Sequence, residues 1–261
     1  MRRLTPRFLE KVWGSTRLGP WFPDSDRKIG EVWFEGVADL PLLIKFIFTT
    51  EKLSVQVHPG DEYARLHHGS RGKTEMWRVL AAEPGAKVAA GFREPLTAEQ
   101  LREAALSGSI EEKLEWFDAK PGDTFFIPAG TVHAIGPGLA MCEIQQNSDI
   151  TYRLYDYGRP RALHLDHGVA VSRLECWDPR RAAEVACEYF STSLVRGGVR
   201  LPGDFEFLIA IEGSGTVGGE PVRGGEVWYG REAVEIGGDV TLLAVGPPFL
   251  AARRLWPPST G

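Results

Sequence analysis

The chain has 261 residues, with 30 Lys and Arg against 35 Asp and Glu, and a formal net charge of −5. This balance disfavours a nucleic-acid partner, but a local cluster of cations can still bind a small phosphate. The three cysteines, Cys142, Cys176 and Cys187, are odd in number and lack a C-x-x-C spacing. They argue against a disulfide scaffold and a thiolate zinc site.

The N-terminal residues are basic, but no apolar segment follows them. Nowhere in the chain do ~18 apolar residues run together, as a membrane-spanning helix would need. We therefore expect a cytoplasmic protein without a membrane partner.

Short apolar runs, rich in β-branched and aromatic residues and bounded by Gly, Pro and Asp, fill the first two thirds of the chain. This pattern is typical of the many brief strands of a sandwich or barrel, so the fold should be mainly β. The predicted strands are 31–36, 42–48, 53–58, 75–80, 87–91, 124–127, 139–145 and 151–157.

Two capping-box patterns, beginning at Thr97 and Ser109, interrupt the strands. Each opens a stretch rich in Leu, Ala and Glu, so we predict two short helices within residues 97–117. The segment that contains His67 and His68 is polar and flanked by glycine, which favours a mobile surface loop. Residues 163–167 should lead into a short helix.

The composition changes from residue 184 onward, where Gly-rich turns separate predicted strands such as 205–211 and 241–245. This pattern predicts a second, smaller β-sandwich, which we interpret as a degenerate repeat of the first domain. Residues 184–261 contain no histidine. We therefore predict a first domain at 1–175 with the catalytic site, and a structural or oligomeric domain without a metal site at 176–261.

Four residues of suitable chemistry mark a metal site. Gln56 and His58 are two apart, so their side chains share one face of a strand. Glu75 follows, and His133 ends a segment with the spacing G-x5-P-x-G-x2-H, which matches the second motif of the cupin superfamily. The first motif of that superfamily resembles Gln56-x-His58 with Glu75, although Gln replaces the usual first His. We expect Gln56, His58, Glu75 and His133 to converge on one ion.

Longer sequence segments resemble one family. They are PLLIKF at 41–46, LSVQVHP at 53–59, GKTEMW at 72–77 and EIQQNSDITYRLYD at 143–156. They resemble the type I mannose-6-phosphate isomerases (phosphomannose isomerases) in their compact bacterial form. The resemblance covers residues 13–172 and implies a cupin (jelly-roll) barrel with a short helical insertion and a second cupin-like β-sandwich. Asp61 stands one place later than an Asp often found in this family, outside the inferred ligand set.

The resemblance makes Zn²⁺ the expected metal, one per chain, although two imidazoles, a carboxylate and an amide also suit Mn, Fe, Co or Ni. It implies that the protein interconverts mannose 6-phosphate and fructose 6-phosphate through a cis-enediolate, with a small sugar phosphate as its partner. A monomer or a homodimer is expected.

Three cations and one carboxylate are candidates for the chemistry. Lys45 lies in an apolar run, where its charge needs a polar cavity or a partner. Lys73 lies two residues before Glu75. Asp149 and Arg153 match the Ser-Asp-x-x-x-Arg segment of the family, in which the Arg lies at the active site. We assign Arg153 to stabilising the enediolate, and Lys45 and Lys73 to binding substrate.

Ser54 is expected to help at the phosphate, and Trp13, in the Trp-Gly segment of the family, to line the sugar pocket. The catalytic base stays open between Lys73, Asp149 and a metal-bound hydroxide. His164 and His167 are three apart and would share a helix face, but nothing else in the sequence completes a site with them. A structural role is therefore predicted for both histidines.

Two other classes of protein stay in contention. An iron-dependent cupin oxygenase would use the same ion to bind oxygen, but it would have no particular need for Lys45, Lys73 and Arg153 together. A non-enzymatic sugar-binding cupin would keep the fold and tolerate loss of those cations. Turnover of a hexose 6-phosphate separates these alternatives from an isomerase.

Overall fold

The computed structural model of the chain describes residues 1–181 and 184–248. The parts of the predicted second domain at 182–183 and 249–261 lie outside the described residues. Within the described residues the backbone forms short helices between many β-strands. The helices are α1 (Asp61–His68), α2 (Ala98–Ser107), α3 (Ile110–Lys113) and α4 (Leu165–Val171).

The strands group by position along the chain. The strands before α2 are β1 (Arg2–Arg3), β2 (Thr5–Ser15), β3 (Ile29–Glu35), β4 (Leu42–Thr49), β5 (Val55–Val57), β6 (Glu75–Ala82) and β7 (Lys87–Phe92). Those between α3 and residue 181 are β8 (Leu114–Asp118), β9 (Thr124–Ile127), β10 (His133–Ile135), β11 (Leu139–Gln146), β12 (Tyr152–Tyr155) and β13 (Arg180–Arg181). The last are β14 (Ser191–Arg196), β15 (Val199–Leu201), β16 (Phe207–Val217), β17 (Glu220–Arg223), β18 (Val227–Tyr229) and β19 (Val234–Gly246).

The strands form three antiparallel sheets. The long sheet has the order β13-β9-β6-β11-β4-β3-β2, and the short sheet has the order β12-β5-β10-β7-β8. The C-terminal sheet has the order β1-β18-β16-β19-β14, with β15 paired to β19 and β17 paired to β16. The N-terminal strand β1 therefore completes a sheet made otherwise of residues beyond 190.

The long sheet is covered on both faces, which explains why every residue of β4 and β11 is buried. Side chains alternate between faces along a strand. Ile47 and Met141 pack with short-sheet residues such as Val88 in one apolar cluster. Phe46 and Ile144 pack on the other side, against C-terminal residues. The long sheet is thus the middle layer of the molecule.

The C-terminal sheet also has two apolar faces. Phe207 and Leu243 join the cluster that covers the long sheet. Their neighbours along the strands, Leu208 and Leu242, belong to a separate cluster enclosed by the long strands β16 and β19. The C-terminal region therefore has a core of its own beside the one that it shares.

Several sequence predictions match these elements. The strand 124–127 has the predicted bounds, and those at 42–48 and 139–145 are one residue longer at their C-terminal ends. The capping box at Thr97 is present, with both reciprocal hydrogen bonds to Gln100. A short helix, α4, follows residue 164 as predicted.

The two short helices predicted within residues 97–117 are present as α2 and α3, and the segment then continues into β8, which pairs with β7 in the short sheet. Two local predictions are wrong. The segment with His67 and His68 is not a loop but the last turn of α1. This helix ends at Gly69, whose φ of 61° is the left-handed conformation that favours glycine at a helix C-terminus. Ser109 precedes α3 without the predicted side-chain cap.

Candidate metal centre and substrate cavity

Strand register brings three predicted site residues together on the short sheet. Gln56 of β5 is paired with His133 of β10 on one side and with Arg153 of β12 on the other. Directly paired residues of an antiparallel sheet project from the same face. Residues that lie far apart in sequence therefore form one row of functional groups.

His58, Glu75 and His133 converge as predicted. Their ligand atoms all lie within 4.8 Å of one another, and all three residues are buried. Each imidazole Nε2 lies 3.5 Å from one oxygen of Glu75, His58 from Oε2 and His133 from Oε1. The carboxylate thus lies between the two rings, as in a shared coordination sphere.

Backbone carbonyls orient both rings. His58 Nδ1 donates a hydrogen bond to the carbonyl of Ile150 at 2.9 Å, and His133 Nδ1 donates to that of Thr131 at 2.9 Å. With the proton on Nδ1, the Nε2 lone pair of each ring faces Glu75, an arrangement common among metal-binding histidines. Burial, followed by Lys73, lowers the pKa of His58 well below its usual range, and burial lowers the pKa of His133 to about 4. Both rings are therefore neutral ligands at neutral pH.

The Glu75 carboxylate is suited to a cation. Burial, with Glu143 as a second cause, raises the pKa of Glu75 to about 7. Its Oε1 is buried and accepts no hydrogen bond. Such an oxygen is costly to bury alone, and a bound divalent ion would supply both a ligand bond and a compensating charge. The residues present therefore fit a divalent metal ion.

Gln56 lies at the edge of this group. Its Nε2 is 3.3 Å from His133 Nε2, and its Oε1 is 3.1 Å from the hydroxyl of Ser54. Turning the amide by half a turn exchanges these two atoms. The amide oxygen then faces the same centre as the two imidazoles, so Gln56 can serve as the fourth ligand.

Lys73 points at the same centre. Its ammonium nitrogen lies 2.8 Å from His58 Nε2 and 2.9 Å from Glu75 Oε2. The side chain is 5% exposed and lines the cavity next to the ligands. Lys73, two residues before Glu75 in the sequence, therefore forms a direct ion pair with it.

A cavity of about 340 Å³ adjoins the ligand group. Its lining includes every predicted catalytic and substrate-binding residue, and Gln56 connects it to the ligands. It is lined by Lys11, Trp13, Glu31, Trp33, Lys45, Ile47, Leu53, Ser54, Gln56, Lys73, Ile135, Glu143, Asp149, Thr151, Arg153 and Arg161. Asp149 is exposed, whereas Trp13 and Ser54 are buried.

Glu143 was not predicted from the sequence. It lies between Lys45 and Trp77 in strand register, accepts a hydrogen bond from Trp77 Nε1 at 3.0 Å and forms an ion pair with Lys45 at 3.0 Å. Burial raises the pKa of Glu143, but Lys45 and Lys73 outweigh it and hold the pKa below its usual value. The available signal was a single charged residue within an apolar strand, which is also the signal that identified Lys45.

Lys45 keeps its charge although it is buried. Burial lowers the pKa of Lys45, but Glu143 and Glu31 outweigh it, so the pKa is raised. The ammonium also lies 4.9 Å from the ring centre of Trp33, within the range of a cation–π contact. Trp33 lines the cavity and was likewise missed by the sequence prediction.

A buried carboxylate organises the arginines of the cavity. Asp156 is 2% exposed and binds Arg161 through two contacts of 2.6 Å. It also lies 3.9 Å from Arg153 Nε and 3.3 Å from Arg159 Nη1. One carboxylate thus fixes three guanidinium groups, of which Arg153 and Arg161 line the cavity.

His164 holds the backbone of Arg153. The His164 Nδ1 accepts a hydrogen bond from the backbone N–H of Arg153 at 3.1 Å, and the backbone N–H of His164 donates to the Arg153 carbonyl at 2.7 Å. Arg153 Nη1 donates to the carbonyl of Ala162 at 2.9 Å. The segment before α4 therefore keeps the Arg153 side chain beside the cavity.

Comparison with known proteins agrees with this geometry, although no family model matches the sequence. The chain is 33% identical to the mannose-6-phosphate isomerase ManA of Bacillus subtilis over 270 aligned positions, which cover 81% of this chain and 85% of that protein. The chain belongs to the mannose-6-phosphate isomerase family. It is also 44% identical over 137 positions to the mannose-6-phosphate isomerase of Streptococcus mutans, which covers 50% of this chain and 43% of that protein.

A solved member of the mannose-6-phosphate isomerase family has the same architecture. The crystal structure of the mannose 6-phosphate isomerase from Bacillus subtilis matches with a TM-score of 0.83 and 28% identity, over 93% of this chain and 98% of that one. The resemblance to this family and the mainly β cupin fold are thereby confirmed. In the described part of the chain, the helices are all too short or too polar to span a bilayer.

Proposed function

We propose that the protein is a metal-dependent aldose–ketose isomerase that interconverts mannose 6-phosphate and fructose 6-phosphate through a cis-enediolate. One observation carries the proposal. The metal-ligand group contacts Gln56 and Lys73, and these two residues line a cavity that Lys45 and Arg153 also line. A phosphorylated sugar needs such cations, whereas a cupin that binds only oxygen does not.

We propose Zn²⁺ as the metal, held by Gln56, His58, Glu75 and His133. Neutral imidazoles with a carboxylate and an amide oxygen form a donor set that zinc accepts. When bound, the ion supplies Lewis acidity for a sugar oxygen. A divalent ion between His58 and Glu75 would repel the Lys73 ammonium. Because Lys73 lines the cavity, its charge can then turn toward a substrate oxygen.

Arg153 is proposed to stabilise the negative charge of the enediolate. Its guanidinium lines the cavity and is held beside it by the hydrogen bond to Ala162 and the ion pair with Asp156. Its backbone is paired with Gln56, which places it one strand away from the ligand group. Charge stabilisation by a pre-positioned cation needs little reorganisation during the reaction.

The phosphate group is proposed to lie beside Ser54 and Arg161. Lys45 binds a sugar oxygen between Glu143 and Trp33, and Trp13 provides an apolar wall. The base that removes the proton from carbon 2 is proposed among the groups that face this cavity, namely Lys73, Asp149 and Glu143. Glu143 joins this set because Lys45 and Lys73 keep its carboxylate ionised.

The test is a coupled assay with protein that has been stripped and reloaded with one divalent metal at a time. We expect turnover of mannose 6-phosphate to fructose 6-phosphate, with unphosphorylated mannose a much poorer substrate. Absence of turnover with every metal would contradict the isomerase proposal. Oxygen consumption with the iron-loaded protein would favour an oxygenase, and tight sugar-phosphate binding without turnover would favour a sugar-binding protein.

The arrangement of the chain supports a structural role for the C-terminal region. We propose a division into a catalytic domain at 1–175 and a second domain at 176–261, joined by the exchange of β1 into the C-terminal sheet and of β13 into the long sheet. The cytoplasmic location and the monomeric or homodimeric state stay predictions from the sequence.

A further inference from the structure

A second group of histidines lies outside the catalytic cavity. Four of the six histidines, His67, His68, His164 and His167, lie at or beside the ends of α1 and α4. The sequence separates them into two pairs of no evident purpose, but the fold brings α1 and α4 together. The ring centres of His67 and His68 lie 5.4 Å and 5.9 Å from that of His167, and 6.5 Å from each other.

Tyrosine hydroxyls hold one nitrogen on two of these rings. The hydroxyl of Tyr63 lies 2.9 Å from His167 Nδ1, and that of Tyr152 lies 2.6 Å from His68 Nε2. His67 stacks on Tyr63 with ring centres 4.1 Å apart. A partner on one ring nitrogen orients the ring and directs the other nitrogen to a ligand, as outer partners do at metal sites. The opposite nitrogens are therefore the ones free to bind.

The spacing of the rings approaches that of a metal site. With nitrogen bonds near 2 Å in a tetrahedral arrangement, the centres of two coordinating imidazoles lie roughly 5 Å apart. The catalytic pair His58 and His133 has a separation of 4.8 Å. His67 and His68 are exposed and His167 is half-buried. His67 is held by stacking on Tyr63, and a rotation of its side chain can close the remaining gap to His68.

We propose that His67, His68 and His167 form an accessory site for a divalent transition metal. The site would tie the C-terminal turn of α1 to α4. Imidazole nitrogens select Zn²⁺, Ni²⁺ or Cu²⁺ over Mg²⁺ and Ca²⁺, which prefer oxygen ligands. Because its ligands include exposed side chains, the site binds more weakly than the buried catalytic group and exchanges freely with solvent.

Equilibrium dialysis against buffered Zn²⁺, with elemental analysis, tests this proposal. The wild type should bind one equivalent at nanomolar free Zn²⁺ and a second at micromolar free Zn²⁺. His67→Gln combined with His167→Gln should lose the second equivalent and keep the first. His68→Gln alone should weaken the second step. In a His133→Ala background, which removes a catalytic ligand, the micromolar step should remain.

Leu66→Gln is the matched control, because Leu66 is 77% exposed on the same turn of α1 and cannot bind zinc. It should keep both equivalents. Circular dichroism shows that each variant is folded, and the variants that keep His133 should also retain the first equivalent. The proposal is overturned if the double variant binds two equivalents like the wild type, or if the wild type shows no second step. An unchanged second step in His68→Gln would remove His68 from the ligand set and contradict the three-histidine site.

Discussion

The long sheet and the C-terminal sheet have seven strands each, but they bury different kinds of side chain. The inner face of the long sheet carries buried charges, including Lys45, Glu75 and Glu143. The central strands β16 and β19 of the C-terminal sheet bury apolar side chains such as Phe207 and Leu243. Buried charges are tolerated only where partners compensate their lost hydration. The long sheet provides such partners on adjacent strands, as Lys45 and Glu143 show, and a cavity lies beside them.

The two faces of the long sheet have different roles. Its outer face packs against the C-terminal sheet in one shared apolar cluster. That packing holds β4 and β11 in place, although their inner faces carry a Lys and a Glu in direct register. The C-terminal region therefore supports the site from behind, and no residue of its described part, 184–248, lines the cavity.

The largest expected effect is that of His133→Ala. The variant loses one of two imidazole ligands, so the tight equivalent of metal should be lost and isomerase activity should fall to background. The strands should persist, because the ring contributes one side chain to a large core. Elemental analysis after dialysis at nanomolar free zinc, with a parallel activity assay, measures both effects.

Metal-loaded wild-type protein tests the same assignment by locating the bound ion. In a crystal, anomalous scattering should show the tight ion beside His58 and His133, with none within residues 184–248. A tightly bound ion within the C-terminal sheet would contradict the prediction that this region has no metal site. Full retention of the tight equivalent by His133→Ala would exclude His133 as a ligand.

Phe207→Ala tests the supporting role of the C-terminal sheet. Phe207 is fully buried in the cluster shared with the long sheet, and its ring centre lies 5.0 Å from that of Tyr229. Truncating a buried Phe typically destabilises a protein by about 3–5 kcal/mol. Urea unfolding should show this loss, while the folded variant keeps its tight metal equivalent and most of its kcat.

The exposed Val199 on β15 provides the matched control, since Val199→Ala should leave the free energy of unfolding nearly unchanged. A Phe207→Ala protein that stays stable but loses its tight metal would contradict a purely supporting role. It would mean that the C-terminal sheet sets the geometry of the ligands directly.

Arg153→Ala should lower kcat far more than it weakens metal binding. Loss of one electrostatic contact to a developing charge costs about 2.7–4 kcal/mol, or roughly a hundred- to a thousand-fold in kcat. Steady-state kinetics of the zinc-loaded variant measure this. Arg200→Ala, an exposed arginine of the C-terminal sheet, is the control and should behave like the wild type. A rise in KM with kcat unchanged would instead assign Arg153 to substrate binding.

Most of the site could be predicted because its signals are local. The spacing of Gln56 on β5 and His58 directly after it, and the turn before His133, do not depend on which strands become neighbours. Lys45 was identified by its charge within an apolar run. Glu143 has the same signal, but its meaning depends on strand register, since Lys45 and Trp77 flank it only after β11 inserts between β4 and β6.

The same limit applies to the helices and their histidines. Residues 61–68 look polar and loop-like, and their helix is held by contacts that are distant in sequence. His67 stands next to His167 only because α1 and α4 pack together in the fold. Residue type and spacing can therefore identify a ligand pair on one strand, but not a cluster assembled from two helices.

The smallest expected effect is that of Asp61→Asn, which tests a link between the two regions. Asp61 accepts hydrogen bonds from the Gly72 N–H at 2.7 Å, from Gln146 Nε2 at 2.9 Å and from the Tyr189 hydroxyl at 3.0 Å. It thereby ties α1 and the segment before Lys73 to a residue that precedes the C-terminal sheet. Partial burial raises the pKa of Asp61, but the three hydrogen bonds outweigh it, so the pKa lies below its usual value.

Because the pKa of Asp61 is lower in the folded state, its ionised form stabilises the fold. This contribution is complete above the unfolded pKa of about 3.9 and is lost as the pH falls through the folded pKa. We expect Asp61→Asn to lower the free energy of unfolding by about 1 kcal/mol at neutral pH. Urea unfolding of metal-stripped wild type and variant should show this difference shrinking below about pH 4. A difference that persists unchanged in acid would mean that the amide disturbs packing, and that the charge of Asp61 contributes nothing to the link.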